Sequence, residues 1–194
     1  MHARVITLAA AAALLLTVTA CDDGSAKSAP SAKASSAPAS GSAPSATPSA
    51  TPSAPLAFGQ TISTSDPKSG TGATVTVLGY EHDFSARVSA DEEGGTSGYV
   101  WAAVEIKVCS TKGTVGTTRN PWAVAYADGA RVQPSSSTYG DFPKPEYPHE
   151  ADIKTGDCLR GKTVFAVPGK QRPAKILYTS SILPEPAEWA VPPQ

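Results

Sequence analysis

The stretch YVWAAVEIKVC (Tyr99 to Cys109) constrains the fold more than any other part of the chain. Val100, Ala102, Val104, Ile106 and Val108 alternate with Tyr99, Trp101, Ala103, Glu105 and Lys107. Successive strand side chains point to opposite faces, so this period of two predicts a strand with one apolar face. ATVTVLGY (Ala73 to Tyr80) is a second β-branched run. WAVAYADGARV (Trp122 to Val132) reads as a strand, an Asp128-Gly129 turn and a short return strand. LRGKTVFAVP (Leu159 to Pro168) places Thr163, Phe165 and Val167 on one face, and AKILYTS (Ala174 to Ser180) is a late strand. No window carries a convincing helical period. Short strands parted by turn signals predict an all-β fold, an antiparallel immunoglobulin-like sandwich, over residues 56–194.

What precedes that domain sets where it lives. MHARVITLAAAAALLLTVTAC opens on one firm positive charge, Arg4, followed by an uncharged run from Val5 to Val18. About 14 residues fall short of the roughly 20 that span a bilayer core, so residues 1–20 are expected to be a secretory signal peptide. VTAC (Val18 to Cys21) resembles the lipobox of bacterial lipoproteins. That resemblance implies cleavage before Cys21 and a diacylglyceryl group, such as one carrying palmitate, on its thiol. Two acyl chains give stable anchoring where one does not. The expected location is the extracellular face of the cell membrane, with the membrane itself as a partner.

Residues 21–55 form the next segment. From Gly24 to Pro55 only Ala, Ser, Pro, Thr, Gly and two lysines occur. With no large apolar side chain, this linker cannot offset its ordering entropy and is expected to be disordered. Its prolines favour extended geometry, giving a reach of at most about 100 Å. Ser and Thr beside Pro also suit O-glycosylation. Net charge is −1, and loss of Arg4 with the leader leaves 15 Lys+Arg against 17 Asp+Glu, about −2. A charge this small gives no reason to expect a nucleic-acid partner.

The three cysteines divide by position: Cys21 for lipid, Cys109 and Cys158 for each other. Cys109 shares parity with Glu105 and Lys107, and Cys158 with Arg160 and Lys162, so both lie off the apolar faces. A disulfide between them belongs at the end or edge of a sheet, unlike the buried bridge of antibody domains. Two free thiols are the alternative.

The order of these motifs resembles the telokin-like, immunoglobulin-type domain of unknown function found in secreted proteins and lipoproteins of Gram-positive bacteria. The resemblance covers Thr74 to Ser180, and its positions here are Asp128, Gly129, Gly156, Gly161, Phe165, Val167 and Pro168. It implies an immunoglobulin-like sandwich and extracellular life, and no activity. The cysteine pair and the long Pro-rich insertion depart from the family pattern.

Catalytic and metal-binding signatures are sparse. EHDF (Glu81 to Phe84) groups a base with two carboxylates and reads as a solvated turn. DEEGG (Asp91 to Gly95) lacks the spacing of a calcium loop and reads as a polar loop tip. No nucleophile elbow or phosphate-binding loop occurs, and a histidine-dependent triad would have to use His82 or His149. The expectation is a non-enzyme with no catalytic residue, metal or cofactor. The most unusual segment is Pro134 to Asp157, which carries Tyr139, Phe142 and Tyr147 among prolines. Two uses are open. The rings form a contact surface for a peptide, a glycan or an envelope protein, or they fold back over a sandwich edge, which is the favoured of the two. The function expected is a lipid-anchored binding or interaction module. A structural accessory of an envelope complex comes second and a secreted hydrolase third.

Overall fold

The structure is a computed structural model and describes residues 54–193. Cys21, the leader and the body of the linker lie outside the described residues. In chain order the elements are β1 (Thr61–Asp66), β2 (Thr71–Phe84), α1 (Ala90–Gly94), β3 (Tyr99–Lys112), β4 (Val115–Thr118) and β5 (Trp122–Ala125). They continue with β6 (Arg131–Val132), β7 (Glu150–Ile153), β8 (Cys158–Pro168), β9 (Lys175–Tyr178) and β10 (Ala187–Ala190).

These strands build an antiparallel immunoglobulin-like β-sandwich. One sheet has the order β1-β2-β3-β8 and the other β10-β9-β5-β6, while β4 and β7 pair as a separate two-stranded ribbon. The alternation in β3 sets the core. Ala102, Val104, Ile106 and Val108 point inward with Val75 and Val77 of β2 and Phe165 and Val167 of β8. Opposite them stand Trp122, Val124, Ile176 and Trp189 of the second sheet, all fully buried. Burial at about 25 cal/mol per Å2 of apolar surface makes this layer the main stabilising element. The Asp128-Gly129 turn forms as the sequence predicts. Gly129 takes φ 91°, a left-handed conformation glycine adopts without strain, and the Asp128 carboxylate accepts from the amide of Ala130 at 3.0 Å.

Three expectations change. EHDF is strand rather than turn: β2 runs through it to Phe84, with a bulge at Asp83, whose φ is 62°. The extra residue there sends Phe84 to the outer face of the sheet, where it meets Phe142 edge-on at 5.9 Å. DEEGG is not a loop tip throughout, since Ala90–Gly94 is a short helix. Ser89 caps it by accepting from the amide of Glu92, and Gly95 ends it at φ 61°. Finally, the second face of β3 is not solvent-facing at Trp101 and Ala103. Both are buried with Val164, Ala90 and Phe142 in a second cluster on the outside of the first sheet.

That second cluster explains the long Pro134–Asp157 loop. Phe142 is 2% exposed, with the Trp101 ring at 5.0 Å and the Tyr139 ring at 5.1 Å. The Tyr139 hydroxyl donates to Glu93 of α1 at 2.7 Å. Further along, the loop lies on the outer edge of β8. The Tyr147 amide donates to the Lys162 carbonyl at 2.9 Å, and the Lys162 amide to Pro145 at 2.8 Å. Tyr147 then turns inward to join the main core at 0% exposure. The edge that β8 would present to another chain is thus covered in part within the domain, at Lys162 and, through the Ser135 amide, at Val164.

Candidate functional site

The cysteines sit directly opposite one another across the β3–β8 ladder, and Cys109 is bonded to Cys158. The bridge ties the end of β3 to the start of β8, off the core face. The turns beside it are held by the Ser110 amide donating to Asp157 at 3.0 Å, the Gly156 amide donating to Ser110 at 2.9 Å, and the Thr155 hydroxyl donating to Gly113 at 2.9 Å. This network fixes the turn between β3 and β4, and with it the start of β4.

A cleft of about 280 Å3 opens beside β4. Its floor is the inward face of the first sheet near the β1–β2 turn, with Thr64, Asp66, Thr71, Ala73 and Val108. One wall is β4, through Val115, Gly116 and Thr117. The other is the chain leaving β9, through Tyr178, Ser180 and Ile182. Trp122 of β5 pairs with Tyr178 of β9, and the Thr179 amide still donates to Pro121 at 2.9 Å. The chain then turns, with the Leu183 amide donating to Ser180 at 3.1 Å, and Pro184 and Pro186 follow. β4 stands outside this sheet and is hydrogen-bonded to β7 alone.

The chemistry of the cleft is hydroxyl-rich with one charge. Asp66 is the one charged side chain lining it among the described residues. The Ser69 hydroxyl donates to its carboxylate at 2.8 Å and the Lys68 amide at 2.9 Å, and these bonds hold its pKa below the ordinary value. Ile182 at the rim is a large apolar side chain left 39% exposed.

The residues singled out from sequence lie elsewhere. Phe142 and Tyr147 are core residues and Tyr139 is packed beside Trp101, so of the two uses open to the loop the rings take the favoured one and fold back over the sandwich. The physical reason is that an unpaired β8 edge and an apolar outer face both needed covering. His82 Nδ1 faces the Tyr80 hydroxyl at 2.8 Å and Nε2 the Gly169 carbonyl at 3.4 Å. Burial raises the pKa of Tyr80, the nearby Tyr126 raises it further, and Arg172 over its ring at 4.8 Å opposes them. His149 is exposed. Among the described residues no three His, Cys, Asp or Glu side chains gather as metal ligands would.

Sequence reading missed the cleft because its lining comes from widely separated segments of the chain. One signal was available: in TISTSD, Thr64 and Asp66 share the parity of Ile62, so polar groups sit on the face that should be apolar.

Fold and cleft together define an immunoglobulin-like sandwich with an open cleft beside its two-stranded ribbon. Among solved structures, the chain is similar to MPT63, a secreted protein of Mycobacterium tuberculosis, at 17% identity and a TM-score of 0.54. The match covers 71% of this chain and 98% of that one. At that identity the likeness concerns the fold. No protein-family model matches the chain, and no curated protein matches it.

Proposed function

We propose that the chain is an extracellular, lipid-anchored binding module, displayed from the membrane by its Ala/Ser/Pro-rich linker. The observation that carries the binding role is the open cleft beside β4, a built concavity with converging polar groups and an exposed apolar rim residue. The lipid anchor rests on Cys21, placed directly after the apolar leader. The disulfide supports an oxidising compartment. The finer family reading, a telokin-like domain of secreted proteins and lipoproteins, is supported by the Asp128-Gly129 turn and by the packing role of Gly161. A Cβ at Gly161 would meet the backbone of Tyr147 at 2.6 Å, so that glycine lets the covering loop lie on β8.

The test is a photocrosslinking side chain at Ile182 in the full chain, activated on intact cells. A discrete cross-linked species is expected from position 182 and not from the exposed Lys170. One stoichiometric envelope protein would make the chain an accessory subunit of that complex. No adduct at 182 would refute the cleft as the contact site. In parallel, a clickable palmitate should label the wild-type chain and fail to label Cys21→Ser. Equal labelling would remove the lipid anchor from this reading.

A further inference from the structure

The ligand class of this cleft follows from the unpaired side of β4, and this inference rests on the binding-module reading above. We infer that the cleft takes an extended peptide segment bearing one lysine or arginine, which adds as a strand to the free side of β4.

The backbone comes first. β4 is paired with β7 on one side, and no described residue hydrogen-bonds its backbone on the other. An unpaired strand side is a template for another chain, and natural sheets ordinarily cover it. This domain covers the outer edge of β8 with a long loop, yet leaves β4 open toward a cleft. Across the cleft from β4 the chain leaving β9 turns at Ser180–Leu183. The cleft thus has β4 on one flank and the end of β9 on the other.

The lining agrees. A strand laid there would turn alternate side chains down to Thr64, Ala73 and Val108, a floor suited to small or β-branched residues. About 280 Å3 lies at the low end for an enclosed small molecule, but suits a segment that runs on past the cleft. The single carboxylate, Asp66, has no ion-pair partner among the described residues, which is the charge complement for one basic side chain. A sugar is disfavoured because stacking needs a free aromatic face. Trp101, Trp122 and Trp189 are all buried, and Tyr178 packs its ring on Trp122 at 4.9 Å. The chain's own linker makes a poor donor, since its frequent prolines lack the amide hydrogen a ladder requires.

The test pans a phage library of short random peptides against the full chain in detergent, with Asp66→Lys as a parallel target. Peptides selected by the wild type are expected to alternate β-branched residues around one Lys or Arg. Asp66→Asn should weaken them roughly threefold, and Ile182→Lys, at the rim side chain left 39% exposed, by a similar factor with the urea midpoint unchanged. Methylating the peptide amides one at a time should cost about fivefold or more at every second position and little between, the signature of strand addition. Peptides that bind Asp66→Lys equally well, or that show no period of two, overturn the inference even where position 182 cross-links on cells. A glycan array that yields ligands while the peptide library yields none also overturns it and leaves the binding module standing. A concentration-dependent dimer abolished by Ile182→Lys would replace the peptide with a second copy of the chain. The absence of any adduct at 182 strikes the earlier reading instead.

Discussion

Arg119 is the side chain whose loss should reveal most about how the covering loop is held. It is 5% exposed, in the link between β4 and β5. Its Nη2 meets Glu146 Oε1 at 2.8 Å, its Nε donates to the Tyr147 carbonyl at 2.7 Å, and Nη2 also donates to that carbonyl. Arg119→Met keeps the aliphatic bulk and removes every donor. A buried pair broken on one side costs about 3–5 kcal/mol, because the remaining charge stays desolvated. The lower end applies here. Glu146 retains 17% exposure and a second partner in Lys144 at 3.1 Å, so about 3 kcal/mol is expected. Equilibrium urea unfolding followed by the fluorescence of the three buried tryptophans measures it.

The same variant makes a pH prediction. Burial alone would raise the Glu146 pKa, but the bonds from Arg119 and Lys144 outweigh it and hold the carboxyl below its ordinary value. A depressed carboxyl contributes stability above its unfolded pKa and loses it as pH falls through the folded one. Without Arg119 that contribution shrinks, so the gap between wild type and Arg119→Met should narrow as pH falls from neutral to about 3. A loss under about 1 kcal/mol at neutral pH, or a gap that does not change on acidification, would refute the clamp.

Gly161→Ala should cost about 1–3 kcal/mol by thrusting a methyl into the Tyr147 backbone, and faster amide exchange at Tyr147 and Lys162 would locate the damage. Phe142→Ala should cost about 3–5 kcal/mol by the same urea assay, since the ring is a core residue; a change near zero would restore it as a surface contact. Reducing the disulfide, which spans 49 residues, should lower stability by about 4 kcal/mol if the chain-entropy account holds, read as a fall in the urea midpoint under reducing agent. Burial pushes Tyr126 and Tyr147 each up to about 12, with Tyr99 and Asp128 adding at Tyr126, while Thr117 opposes and Tyr178 adds at Tyr147. Stability from these neutral phenols is complete below about pH 10 and lost as pH climbs from there toward 12. Phenolate absorbance should accordingly trail that of the urea-unfolded chain across that window.

The strands that face one core were legible because their period of two survives in the letters. Thr163, Phe165 and Val167 share a face as the parity predicts, and each is 0% exposed. The same parity placed the disulfide off the core face, at the strand ends, while the pairing itself follows from an oxidising compartment. The outer cluster was not. Trp101 and Ala103 alternate correctly, yet nothing local says that a loop some 40 residues later will cover them. Helix α1 is too short to show a period, though SADE (Ser89 to Glu92) carries a capping-box pattern. The cleft was the least legible part, because the β1–β2 turn, β4 and the chain beyond β9 that line it are far apart in the letters.

One contact at the start of the described chain has a mechanical meaning. The Leu56 amide donates to Glu188 and the Ala190 amide to Leu56, each at 2.8 Å, so Leu56 is stitched beside β10 before the chain crosses to β1. The cleft lies by the Asp66 end of β1, whereas the linker joins at the Thr61 end. A pull on the chain ahead of Leu56, resisted at the Asp66 end of β1, would therefore run lengthwise along β1. Its ladder with β2 would bear that load in shear, many hydrogen bonds at once, rather than unzip from one end. A domain built this way would resist a pull on its N-terminal end with little more than a short edge strand as its tendon.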